Sequence, residues 1–500
     1  MNKRAFNDKS LEHLFDDGNA FKIAKNLEGK MYRDYANRKT KQFFFRGSSY
    51  FIKYHGPVGW REILKNFIQL KIPVIGAERE WRALLKLRSV GLDCPEPLAF
   101  MSRGWNPANS ESFLITKDLQ KTISLEDLFL KGAFKKRSTL EKRSLITKLA
   151  IICRTMHLNG LNHRDLYLCH FHIEENNKLG ETIFIIDLHR GQIRKRVPLR
   201  WATKDIGGLL HSIIPFGISE TDCYRFLMIY FDCSFKNLIK EKTKFINQSR
   251  SRAFDMHMKP ILKEIDITNS NNLEENSLYL KKEGMDYRWI GLKSALNDPI
   301  LNALEDLDEI MQTGRIIKKE AGHFIVSLEL GGKEFFIKKY QIKSKSHLLR
   351  KFFSESRASI SWKAIHWLRA ASIKTVNPVV VYERFNSLFI LETFLITEKI
   401  EGAILSDALK ENEKDYLIAA RIQSLFKRLK WIGFNHGDAK TSNFYFNQDK
   451  LIVFDLDASR KSISSMMKTN MINKDIKRIL RSTIKNKRLN LLLSRRLKGL

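Results

Sequence analysis

The chain has 500 residues, 43% of them apolar, enough for two or three domains that each bury a core. Lys and Arg outnumber Asp and Glu by 88 to 55, a formal charge of +33, which points to a polyanionic partner such as a nucleic acid, a phosphorylated glycan or an anionic membrane surface. Five cysteines, all in the first half and odd in number, exclude a secreted disulfide framework and favour a reducing compartment. The opening MNKRAFNDKSLEHLFDDG lacks the apolar centre of a signal peptide, and no run is long enough for a membrane span. The expectation is a soluble cytoplasmic protein with basic surfaces.

In chain order, KQFFFRGSSYFIKYH (Lys41 to His55) reads as two strands around a turn, with Lys53 ending the second. A helix opens at Glu80 in EWRALLKL, and the strand FLIT follows at Phe113. LEKRSLITKLAIICRTMHL has apolar residues at helical spacing. Next comes the loop His163-Arg164-Asp165, and then the short strand IFIID, which ends in Asp187. A basic stretch, HRGQIRKRVPLRWATKD, runs from His189 to Asp205. The polar ITNSNNLEENS, residues 267–277, has the composition of a linker.

Beyond it the pattern returns. HFIVSLELGGKEFFIKKY again reads as strand, turn and strand, with Lys338 at the Lys53 position. SWKAIHWLRAASIKTVNP aligns with EWRALLKLRSVGLDCPEP, and a second FLIT follows with Phe394 on Phe113. GFNHGDAKTSNF aligns with GLNHRDLYLCHF, so Asp438 falls on Asp165. LIVFDLDA then aligns with IFIIDLHR, and KDIKRIL with KDIGGLL. Matched blocks in one order indicate two copies of one domain, at 1–266 and 278–500. Sheet first and helices later gives each copy an α+β, two-lobed layout.

Phosphoryl transfer needs a lysine for the phosphates and a glutamate to orient it. It also needs an aspartate beside the acceptor hydroxyl and oxygen ligands for a metal. The first copy offers Lys53, Glu80, Asp165 and Asp187, and Asp205 is available to accept hydrogen bonds from the HRD backbone. His170 stands where such loops carry a metal-binding asparagine. Imidazole is a poor direct ligand for Mg²⁺, which leaves His170 a water-mediated, substrate-side or packing role. Cys169, His170 and His172 do not have zinc-site spacing. The second copy offers Lys338, Asp438, Asn443 and Asp455, with Lys440 placed to reach a transferring phosphate. It has Ser361 at the Glu80 position, with Glu355 as the nearby substitute. Neither copy has GxGxxG; Gly29 and Gly322 are the available phosphate-loop glycines.

VGWREILKN, PVIGAEREWRAL, NHRDLYLCHFHI and IIDLHRGQIRKR closely resemble the bacterial lipopolysaccharide inner-core heptose kinases, the WaaP group. The resemblance runs from about Leu27 to about Phe235 and implies a protein-kinase-like bilobal fold, so the chain reads as two such domains in tandem. It implies ATP and Mg²⁺ as cofactors and heptose I of the lipopolysaccharide core as acceptor. Asp165 would be the catalytic base, with Lys53, Glu80 and Asp187 serving nucleotide and metal. In that family His170 is the ordinary residue. The second copy resembles the wider superfamily that includes Kdo kinases, which fixes no acceptor sugar. It would phosphorylate a second core hydroxyl or serve as a pseudokinase scaffold.

The implied partners are the inner-core glycolipid and the anionic cytoplasmic face of the inner membrane. A nucleic-acid partner is not expected, since no RNP, zinc-finger or helix-turn-helix signature occurs. In the basic tail, Ile472, Ile476, Ile479, Leu480 and Ile484 recur at helical spacing. Two readings fit that stripe: an interfacial membrane helix, or a helix packed on its own lobe.

Overall fold

The computed structural model describes residues 3–15, 18–35, 37–68, 73–175, 182–269, 277–320, 322–341, 355–386, 389–409, 414–462 and 465–500. The chain mixes helix and sheet and divides into two compact units, Met1–Ala253 and Phe254–Leu500.

The first unit holds a six-stranded antiparallel sheet. Its order is Lys3–Phe6, Pro97–Arg103, Glu111–Lys117, Ser48–His55, Arg38–Phe45 and Lys30–Tyr35. The hairpin at its centre closes through Arg46 and Gly47, both at positive φ (47° and 77°), as a two-residue hairpin turn requires. Along Ser48–His55, Tyr50, Ile52 and Tyr54 point into one core with Phe15, Phe21 and Phe113. Each such side chain, fully buried, contributes about 1.5–3 kcal/mol. Strand alternation turns Lys53 to the opposite face, beside the helix Glu78–Ser89. The helices Thr139–Leu158, Leu199–Ile213 and Glu220–Phe231 follow, and the first starts from a Ser138/Glu141 capping box.

The second unit holds a seven-stranded antiparallel sheet. Its order is Tyr279–Glu283, Tyr287–Leu292, Pro378–Asn386, Phe389–Glu398, Lys333–Gln341, His323–Leu330 and Arg315–Glu320. The last five strands keep the order of their counterparts in the first sheet, and an added hairpin replaces the single N-terminal edge strand. Gly331 and Gly332 (φ 58° and 77°) form its central turn. The helices Arg357–Ala370, Asp415–Ile432, Ser465–Ser482 and Lys487–Leu497 complete the unit.

Two expectations change. The units divide inside the helix Phe235–Glu264 and not at residues 267–277, of which 270–276 lie outside the described residues. Phe254, Met258, Ile265 and Ile267 share a core with Trp362 and Leu368, so the end of that helix already belongs to the second unit. In the tail, Ile472 and Ile479 are buried in the same core and Ile476 and Leu480 pack against it, while Ile484 is exposed. The stripe is therefore covered by protein, and the interfacial-helix reading is withdrawn. Among the described residues no helix is long and apolar enough to cross a membrane.

Candidate active site

In the first unit Lys53 Nζ lies 2.5 Å from Glu80 Oε1 and 3.7 Å from Asp187 Oδ1. Glu80 is in the first turn of its helix and almost fully buried. Burial alone would lower the Lys53 pKa, but the two carboxylates outweigh it and hold the value above that of an ordinary lysine. Asp187 adopts φ 58° and accepts a hydrogen bond from His189 Nδ1 at 2.7 Å. Its second oxygen faces His170 Nε2 at 3.6 Å. Burial pushes the Asp187 carboxyl up, yet Lys53, His189 and His170 together hold it far below the usual carboxylate range.

The HRD loop is pinned from two sides. His163 Nε2 is 3.0 Å from the Ile186 carbonyl, which ties the loop to the residue before Asp187. The His163 and Arg164 amides donate to Asp205 at 2.7 and 2.8 Å, as read from the sequence. Arg164 is held at φ 74°, a left-handed conformation costly for a side chain of its size. Asp165 then receives both contacts of the Arg190 guanidinium, at 2.7 and 3.1 Å. His170 Nδ1 lies 2.6 Å from the Asp165 carbonyl, so Nδ1 carries the proton and the bond is to backbone.

The second unit repeats the frame with other side chains. His436 Nε2 reaches the Phe454 carbonyl at 3.0 Å, and the His436 and Gly437 amides donate to the buried Asp475 at 2.8 and 3.1 Å. Gly437 (φ 85°) meets without strain the conformation that Arg164 adopts under strain. Asn443 Nδ2 donates to the Asp438 carbonyl at 2.8 Å, the bond that His170 makes in the first unit, and to Asp438 Oδ2 at 3.1 Å. Lys440 Nζ is 2.9 Å from Asp438 Oδ2. Lys338 Nζ contacts Asp455 at 2.5 Å and Asp457 at 3.4 Å. Lys338, Asp438, Lys440, Asn443, Asp455 and Asp457 line a cleft of ≈ 740 Å³.

The structure thus brings Lys53, Glu80 and Asp187 together beside Asp165, and Lys338, Asp438, Lys440, Asn443 and Asp455 around one cleft. Two further readings fail. Glu355 does not replace Glu80: it is exposed and pairs with Lys363 at 2.5 Å. Gly29 precedes the strand Lys30–Tyr35, where an added Cβ would lie 2.2 Å from the Gln42 carbonyl, so sheet packing accounts for it. Gly322 does sit at a strand turn, at φ 92°. Asp457, Arg357, Arg190 and His189 were missed. The contrast between DLH and DLD after the matched strands was the available signal for two of them.

The oxygen donors suit a hard cation. Asn443 and Asp455 offer amide and carboxylate oxygens on one cleft, and Asp187 offers a carboxylate that phosphates and water would supplement around Mg²⁺.

Comparison with known proteins gives the family. The sequence model of the lipopolysaccharide kinase (Kdo/WaaP) family matches twice, over residues 23–230 and 317–493. The lipopolysaccharide core heptose(I) kinase WaaP of Escherichia coli is 40% identical over 248 residues, 49% of this chain and 94% of that protein. The Pseudomonas aeruginosa protein of the same name is 33% identical over 238 residues, 47% of this chain and 89% of its own length. A solved structure described as WaaP in complex with acyl carrier protein aligns at 27% identity over 51% of this chain and 99% of that one, with a TM-score of 0.45. The chain belongs to the lipopolysaccharide kinase (Kdo/WaaP) family, and with it to the phosphotransferases.

Proposed function

We propose that the chain is a two-site kinase of the lipopolysaccharide core, built as a tandem duplication of one bilobal, protein-kinase-like domain. The first half phosphorylates heptose I from ATP, and the second phosphorylates another core sugar hydroxyl. One observation carries this reading. Both halves set a strand lysine against the post-strand aspartate and pin an HxD loop to a buried aspartate.

In the first half Lys53, oriented by Glu80, would hold the nucleotide phosphates. Asp165 would accept the proton of the sugar hydroxyl, and Asp187 would hold Mg²⁺. In the second half Lys338 and Lys440 would hold phosphates, Asp438 would face the acceptor, and Asn443 and Asp455 would hold the metal. Bound Mg²⁺ would neutralise phosphate charge.

An anionic acceptor suits the first half. Arg164, Arg194, Arg200 and Lys204 crowd the Trp201 ring at 5.4, 5.2, 5.7 and 4.2 Å. Burial and then Arg200, Arg252 and Arg164 lower the Lys204 pKa, and the neighbouring Asp205 carboxylate offsets them only in part. A phosphorylated or carboxylated glycolipid would relieve that repulsion, and the +33 charge would hold the chain at the anionic cytoplasmic face of the inner membrane.

The two-site reading predicts that Asp438→Ala removes one core phosphate and leaves the Asp165-dependent phosphate in place. Mass spectrometry of core oligosaccharide from a deletion strain complemented with the variant checks this. Wild-type phosphate content would make the second half a scaffold. Linkage of the halves would also raise the local concentration of the second site around a substrate held by the first.

His170 carries a separate expectation. Because it bonds the Asp165 carbonyl as Asn443 bonds that of Asp438, His170→Asn should keep the loop and leave the Mg²⁺ requirement close to its original value. A titration of activity against Mg²⁺ tests it, and a large fall in apparent Mg²⁺ affinity would show the imidazole to be a ligand.

A further inference from the structure

The second half has no glutamate on its helix to orient Lys338. Ser361 is buried there, with its Oγ 3.4 Å from the Tyr340 hydroxyl. Yet Lys338 is as well held as Lys53. Each ammonium has one carboxylate at 2.5 Å, and a second at 3.7 Å for Lys53 and 3.4 Å for Lys338. What differs is where the carboxylates come from. In the first half one is on the helix and one follows the strand; in the second half both follow the strand, as Asp455 and Asp457.

The neighbours change together. Asp457 takes the place of His189, two residues after the shared aspartate. Its Oδ2 also accepts from Arg357 at 2.7 Å, and Arg357 opens the helix that lacks the glutamate. Arg357 is held in turn by His323 Nε2 at 2.8 Å. By strand register His323 occupies the place of Arg38, and Tyr340 that of His55. The Tyr340 ring lies 4.8 Å from the Lys338 ammonium and 5.3 Å from the Arg357 guanidinium, so it fills the space beside Ser361 and faces both cations. The side-chain carboxylate of Asp457 is 7% exposed, between two cations. A lysine facing two carboxylates is thus kept in both halves, through different residues.

From this exchange we infer that Asp457, held by Arg357, is the positioning residue for Lys338, doing from the loop after the strand what Glu80 does from the helix. The inference rests on the reading of the second half as a nucleotide-using site. It makes the absence of a helix glutamate a rewiring and not a loss.

The test uses the full chain carrying Lys53→Ala, which silences the first site, and a fluorescent methylanthraniloyl-ATP titrated with Mg²⁺ and again in EDTA. Asp457→Asn should weaken binding about ten- to a hundredfold, the value of a lost charge-assisted hydrogen bond. The loss should be equal with and without metal, and should vanish in a Lys338→Met background, because Asp457 acts through Lys338. Arg357→Gln, at a more exposed position, should give a smaller loss in the same direction if Asp457→Asn does not fold. Unchanged binding by Asp457→Asn overturns the inference and leaves the two-site reading intact. A loss seen only with Mg²⁺ also overturns it, since Asp457 would then be a metal ligand. No nucleotide binding by the Lys53→Ala parent overturns both.

Discussion

Replacing Asp165 with alanine is expected to remove the heptose I phosphate from the core while the first unit stays folded. The fold should survive because the loop is not held by this side chain. Its anchors are the His163 and Arg164 amides on Asp205 and the His163 ring on the Ile186 carbonyl. His170 bonds the backbone carbonyl of Asp165, which alanine keeps. The Arg190 partner is 40% exposed and can be solvated once the carboxylate is gone, at a cost of about 0–1 kcal/mol. Chemistry should suffer far more. Loss of a positioned base costs about 10²–10⁴ in rate. Core oligosaccharide mass together with a thermal melt of the purified variant measures both. An unchanged phosphate would sink the role proposed for Asp165, and a lost melt would mean that the loop depends on it.

Asp205→Ala should do the reverse and damage the frame before the chemistry. Asp205 is 1% exposed and accepts from two backbone amides, with His157 Nε2 at 3.2 Å. Removing it strands those donors in the interior and frees Arg164 from its left-handed conformation. Breaking a buried, hydrogen-bonded charge site costs about 3–5 kcal/mol, a large part of the roughly 5–15 kcal/mol that holds a domain together. Asp205→Asn, which keeps one acceptor oxygen, should lose less. Urea unfolding of the two variants checks the order, and a midpoint within error of the parent for Asp205→Ala would refute it.

Much of the site was legible without coordinates, and for a local reason. Lys53 and Lys338 lie within apolar strands, where alternation determines which way a side chain points, while Asp187 and Asp455 follow the next short strands by two residues, at positive φ. Asp165 and Asp438 sit in loops a few residues long between recognisable elements. Asp205 could be anticipated because KDIGGLL after the first HxD loop recurs as KDIKRIL after the second, with Asp475 at the same place.

The repeated blocks of sequence determined the twofold organisation, the places of the strand lysines and the post-strand aspartates, and the family. These depend on spacing along the chain and on side-chain period, both written locally. Tertiary structure decided what a given pattern meets. The helical stripe of Ile472 and Ile479 suits lipid or protein equally by period, and only the packing shows that a core covers it. Glu355 and Asp457 are both carboxylates near the missing glutamate by one measure or another. Glu355 is close in sequence yet faces solvent, whereas Asp457, separated from Lys338 by more than a hundred residues, meets it because the sheet and the loop after the strand converge on one cleft. A charge chooses its partner by distance in space, and that distance is set by the packed core rather than by position in the chain.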